Sequence, residues 1–98
     1  MIKHIVMIKL KDSENKKQNI VKLKNDLESL AESIPELLKM EVGLNFSDKP
    51  TALDLVLTAE FDNIIGLNKY RVHPEHVKIL NFLKEIVEKS TVVDYEIN

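Results

Sequence analysis

The opening segment constrains this chain more than any other. Residues 2 to 10 read Ile-Lys-His-Ile-Val-Met-Ile-Lys-Leu. Successive side chains of a strand point to opposite faces. Ile2, His4, Val6, Ile8 and Leu10 therefore share one face, and Ile5 and Met7 lie on the other between Lys3 and Lys9. A strand apolar on both sides belongs in a sheet covered on both sides. The fold must therefore supply two covering layers.

The rest of the chain supplies one of them. Asp12 or Ser13 is positioned to cap a helix that runs to about Ser33, with Ile20, Leu23, Leu27, Leu30 and Ile34 at helical spacing. Pro35 stops it, because the residue before a proline avoids the helical region. Leu38 to Phe46 alternates, with Met40, Val42, Leu44 and Phe46 on one side, and predicts a second strand. A polar turn, Ser47 to Thr51, leads to a third strand in which Leu53, Leu55, Leu57, Ala59 and Phe61 form an unbroken apolar face. Asp62-Asn63 caps a short helix through Leu67 and Tyr70. Pro74 starts the last helix, since its missing N–H costs nothing in a first turn. That helix is expected to end near Lys89, followed by a strand from Thr91 to Ile97 with Val93, Tyr95 and Ile97 on one face.

The order β-α-β-β-α-α-β predicts an α+β fold. It is a ferredoxin-like antiparallel four-stranded sheet with helices on one face, in a single domain spanning residues 1–98. Nothing remains to cover the second face. A copy of the same sheet is the simplest cover, so a homodimer through the open face carrying Ile5 and Met7 is expected.

Composition narrows the function. A net charge of −2 lacks the basic face that nucleic acid requires. There is no cysteine, which excludes disulfides and thiol chemistry. No apolar run is long enough to span a membrane, and Met1-Ile2-Lys3-His4 enters the first strand without a leader-like apolar stretch. A cytoplasmic protein is the expectation.

The chemistry concentrates in Tyr70-Arg71-Val72-His73-Pro74-Glu75-His76-Val77, which holds two of the three histidines and one of the two tyrosines. His73 falls at the cap of the last helix. His76 shares an inward helical face with Ile79, Leu80, Leu83, Ile86 and Val87. His4 points from the first strand toward the same layer. His4, Tyr70 and His76 can thus meet in an apolar pocket lined by Val6, Ile8, Leu23, Leu27, Leu30 and Leu80. Histidine titrates near neutrality and can move a proton, with His76 the best candidate base. A tyrosine hydroxyl can donate to an enolate oxygen. Residue types alone favour the plainer alternative, in which the histidines hydrogen-bond to backbone or to each other and order the core. His73 and His76 lack the further ligands that a metal site needs, so neither metal nor other cofactor is expected. Asp94, Glu96, Glu41 and Glu60 read as rim or interface charges. The lysines at 16, 17, 22 and 24 read as a solvated helix face.

With these residues in view, the chain resembles the Dabb family, the stress-responsive A/B barrel domain proteins. The likeness runs through the opening Ile2–Lys11 segment, Ile34-Pro35, Val42-Gly43, Leu55-Val56-Leu57, Glu60-Phe61 and Val93-Asp94-Tyr95-Glu96. Its specific part is the Tyr70 to Val77 block. The resemblance implies a dimeric α/β barrel. Some plant members look like polyketide cyclases that use a first-strand histidine, a tyrosine before the His-Pro pair and the histidine after it. By motif these are His4, Tyr70 and His76. Cyclase-type members line their pocket with aromatics from the first helix, where this chain has Leu23, Leu27 and Leu30. The resemblance therefore implies a stress-response protein that binds a small oxygenated hydrophobic molecule, with cofactor-free cyclase- or lyase-like proton transfer as the chemistry. The rival is a non-catalytic, partner-binding dimer with structural histidines. A haem-degrading monooxygenase of related architecture ranks below both, since only fold analogy supports it.

Overall fold

In the computed structural model, which describes residues 1–97, seven elements follow one another: β1 (Ile2–Leu10), α1 (Lys16–Ser33), β2 (Lys39–Leu44), β3 (Leu55–Phe61), α2 (Ile64–Val72), α3 (Pro74–Ile86) and β4 (Val87–Glu96). The four strands form one antiparallel sheet in the order β2-β3-β1-β4. The three helices pack on one face, which gives the ferredoxin-like α+β architecture that the alternation and helical spacing predict. β3 is buried and half-buried at strictly alternate residues, as a strand covered on one side should be.

The core lies between that face and the helices. Leu23, Leu27 and Leu30 of α1 are buried against Ile8, Leu10, Val42, Leu55, Leu57, Ala59 and Phe61 from three strands. Leu67 and Tyr70 of α2 and Ile79 of α3 complete it. β1 is the second inner strand. Register places His4 on the covered face, beside Ala59 of β3 and Asp94 of β4. The opposite face carries Lys3, Ile5 and Met7, flanked in register by Val56 and Thr58 on one side and by Thr91, Val93 and Tyr95 on the other. Met7, Val93 and Tyr95 are exposed there.

Several element boundaries differ from the sequence expectation, each for a local reason. α1 begins at Lys16 rather than directly after Asp12 or Ser13. Ser13 instead closes a turn, accepting from Asn15 and Lys16 backbone N–H groups, while Asp12 pairs with Lys16. β2 stops at Leu44, so Phe46 lies in the following loop, fully exposed. There Asn45 bonds Ser47 through both ends of its amide, a side-chain turn that ends the ladder. β3 starts at Leu55, and Asp54 just before it is tied to the end of β1. Its backbone N–H donates to the Ile8 carbonyl at 2.8 Å, and its carboxylate accepts from Leu10 N–H at 2.7 Å. α3 ends at Ile86 and β4 follows at once from Val87, with no connecting loop. β4 therefore starts four residues before the expected Thr91.

The core cluster generates a stability expectation. Leu30 is fully buried, so Leu30→Ala leaves a cavity that a packed interior collapses only in part. A loss of about 2–5 kcal/mol is expected from urea unfolding, with the secondary structure seen by circular dichroism retained.

Candidate functional site

The site begins at the junction of α2 and α3. The Asn63 side chain caps α2 by accepting from Gly66 N–H at 3.1 Å. This phase buries Gly66, Leu67 and Tyr70 and leaves Arg71 and Val72 exposed. His73 then caps α3, its Nδ1 accepting from Glu75 N–H at 3.1 Å. With that nitrogen occupied, His73 serves as a cap. Pro74 occupies the first turn, and His76 falls one turn inside, against the ring of Tyr70.

Tyr70 is the centre of the arrangement. Its ring lies 4.2 Å from the imidazole of His76 at 31°, 6.1 Å from that of His4 in an edge-on contact, and 5.1 Å from the ring of Phe61. The structure thus brings His4, Tyr70 and His76 together from β1, α2 and α3. The Tyr70 hydroxyl is buried and has no hydrogen-bond partner. A buried hydroxyl without a partner is costly and uncommon in folded proteins. Burial also pushes this phenol well above its ordinary pKa, so it stays protonated and can act as a donor.

Each imidazole is oriented through its Nδ1. The Nδ1 of His76 lies 3.2 Å from the backbone carbonyl of Arg71. A carbonyl only accepts, so the proton sits on Nδ1 and the lone pair of Nε2 is left free. Burial holds His76 below its ordinary pKa of 6.5; the Arg71 carbonyl acts in the opposite sense, and the neighbouring His4 and His73 add to the lowering. The Nδ1 of His4 bonds the carboxylate of Asp94. The second oxygen of Asp94 pairs with Arg71 Nη2 at 2.9 Å, and Arg71 Nη1 donates to Asn68 at 3.0 Å. Arg71 therefore touches both histidines, one through its backbone carbonyl and the other through Asp94.

Asp94 and Arg71 are the members that sequence reasoning missed. Asp94 reads in the sequence as a rim or interface charge, yet it lies on the covered face and holds His4. The signal was present in the alternation. If Val93 and Tyr95 face one side, Asp94 faces the other, and β4 pairing with β1 sets it directly beside His4. The residues expected to line a pocket divide. Val6 packs half-buried against the core, whereas Ile8, Leu23, Leu27 and Leu30 lie within it as buried core side chains. Leu80 is 37% exposed, and Ile79 takes the buried position beside it. The inward stripe of α3 is narrower than its sequence suggests because the helix packs mainly on α1 and α2. No group of three or more His, Cys, Asp or Glu able to hold a metal ion occurs among the described residues. No helix there is long and apolar enough to cross a membrane.

Comparison with known proteins gives a consistent picture. The family model described as Stress responsive A/B Barrel Domain matches residues 2–97. An uncharacterised protein of Streptomyces coelicolor is 28% identical over 97 residues, which cover 98% of this chain and 99% of that one. A dimeric protein of unknown function with a ferredoxin-like fold from Bacteroides fragilis is 37% identical, with a TM-score of 0.89 over 98% of this chain and 95% of its own. A hydroxynitrile lyase from Passiflora edulis superposes with a TM-score of 0.85 at 20% identity, covering 99% of this chain and 93% of the lyase, a likeness of fold.

The environment of His76 generates a pH expectation. The folded protein binds this proton less readily than the unfolded chain does, so stability contributed by neutral His76 is present above pH 6.5. It is lost as the pH falls through the lowered folded pKa. Urea midpoints should therefore decline across that acidic window, and less steeply in His76→Gln than in the unmodified protein. In imidazole NMR titrations the His76 midpoint should lie below 6.5.

Proposed function

The chain belongs to the stress-responsive A/B barrel domain family, and from that premise we propose that it binds a small oxygenated hydrophobic molecule at His4, Tyr70 and His76 and transfers a proton to or from it. One observation carries this reading. The hydroxyl of Tyr70 is buried without a partner, between two imidazoles that are each held by Nδ1. A ligand carbonyl or hydroxyl oxygen is the acceptor that this arrangement lacks. Tyr70 donates to the substrate oxygen and stabilises charge that builds there. The free Nε2 of His76 removes a proton from the adjacent carbon, or from the hydroxyl of an adduct, and returns it in the reverse step. His4 is the second polar wall, its ring fixed by Asp94. A protein described as a hydroxynitrile lyase shares this fold.

The functional unit in this reading is a homodimer through the open sheet face. Relatives of the same fold are described as dimeric. Ile5, Met7, Val56 and Val93 form a contiguous apolar patch of the kind that marks a protein interface.

Two measurements test these proposals. Butanone in deuterated water should exchange its α-protons faster with the protein than in buffer alone. His76→Ala should lose about 10²–10⁴-fold of that acceleration while remaining folded. Unchanged exchange in a folded His76→Ala protein would remove the catalytic assignment. For the dimer, Met7→Lys places an ammonium group in the apolar patch and should shift sedimentation toward the monomer. A monomeric unmodified protein at micromolar concentration would refute that interface.

A further inference from the structure

Resting on the dimer reading just given, we infer how the second copy sits on the open face. The two-fold axis runs along the strands, so β2 of each copy lies over β4 of the other. A cavity at Gly43 receives that β4, and Glu60 of each copy meets Lys3 of the other. The argument starts from the cross-strand rows of the open face. Lys39, Glu60 and Lys3 stand side by side in one row. Thr58 and Ile5 lie in the next, and Gly43, Val56 and Met7 in the third. One outer row is therefore charged and the other apolar. When a face meets its own copy, the two-fold lies in the plane between them. Stacked sheets keep their strands within about 30° of alignment, which leaves two directions for the axis: along the strands or across them.

An axis across the strands reverses the rows. It lays Lys3 on Met7 of the second copy or, shifted by one row, on its Lys9. An ammonium group is then buried against an apolar side chain or against its like, and both are costly. An axis along the strands keeps each row against itself and exchanges β3 with β1 and β2 with β4. Glu60 then faces Lys3 of the second copy, Val56 faces its Met7 and Thr58 its Ile5. Lys3 and Glu60 are half-buried, and among the described residues neither makes an ion pair within its own chain. Opposite charges placed across an interface fix its register. The cavity points the same way. It measures about 280 Å³ and is lined by Gly43, Met7, Val56, Leu44, Ala52 and Leu53. Interface cores pack as densely as protein interiors, so it needs an occupant. The axis along the strands brings β4, with Thr91 and the exposed Val93 on its open face. The axis across them brings only Lys39 or Glu41 of the other β2.

Mixing two charge variants tests this. Lys3 and Glu60 are also neighbours within each chain, so the comparison is between pairings of the same two variants. Copies carrying Lys3→Glu are mixed with copies carrying Glu60→Lys, one of them isotopically labelled, and the dimers are counted by native mass spectrometry. Salt of about 0.15 M screens charges more than ~8 Å apart, which leaves the contacting pairs to decide. Each homodimer sets like charges against each other at both crossings, and the heterodimer sets opposite ones. The heterodimer should form about tenfold or more tightly than the mean of the two homodimers. In the unmodified protein, the α-protons of Gly43 should show nuclear Overhauser contacts to the methyl groups of Val93 or Thr91. β2 and β4 are the two edges of one sheet with two strands between them, so such a contact arises only between copies. Statistical mixing of the variants, or a dimer without the Gly43 contact, overturns the inference while the interface stands. A monomeric unmodified protein removes the dimer reading and this inference with it.

Discussion

Everything in this fold hangs on β1, which pairs along its length with β3 on one side and β4 on the other. Its backbone groups are satisfied only within the sheet, and its two side-chain sets are committed to two different layers. One set builds the core under the helices and carries His4. The other is the apolar face on which the proposed association depends. A one-residue slip would exchange the two sets, so burial of Ile8 and Leu10 fixes the register and thereby fixes where His4 points.

The polar chain converts that register into a site. Four elements contribute: β1 through His4, β4 through Asp94, α2 through Tyr70 and Arg71, and α3 through His76. None of the links is strong alone. The Arg71–Asp94 pair is partly solvated, and pairs of that kind contribute little to stability. Their consequence is orientation. A carboxylate and a carbonyl each take up an Nδ1–H, which fixes the tautomers of two imidazoles around one phenol.

Much of this was legible in the sequence because periodicity reports burial directly. The alternation of β3, the spacing of the leucines in α1 and the Pro74 start of α3 gave the elements and their faces. Three kinds of feature were not legible. Strand ends depended on distant partners, as when the Asp54 carboxylate takes up the Leu10 N–H at the end of β1. The limit of the buried stripe on α3 depended on how the helix packs on α1 and α2, which left Leu80 outside and Ile79 inside. Asp94 was hidden because a lone carboxylate in a strand reads as surface charge until its neighbour in the ladder is known. The reading of His4, Tyr70 and His76 as neighbours needed only the phase of each element, and phase is what the pattern of residues records best.

The absence of any linker between α3 and β4 has a consequence for how such chains can change length. Ile86 is the last helical residue and Val87 the first of the strand, so helix phase and strand register are mechanically joined there. Inserting a single residue at that seam would either rotate His76 by about 100° around the helix axis or move Asp94 to the opposite face of the sheet. An insertion in the loop after Leu44 carries no such coupling, because that loop touches neither histidine. The seam acts as a ruler that holds the distance between base and carboxylate constant.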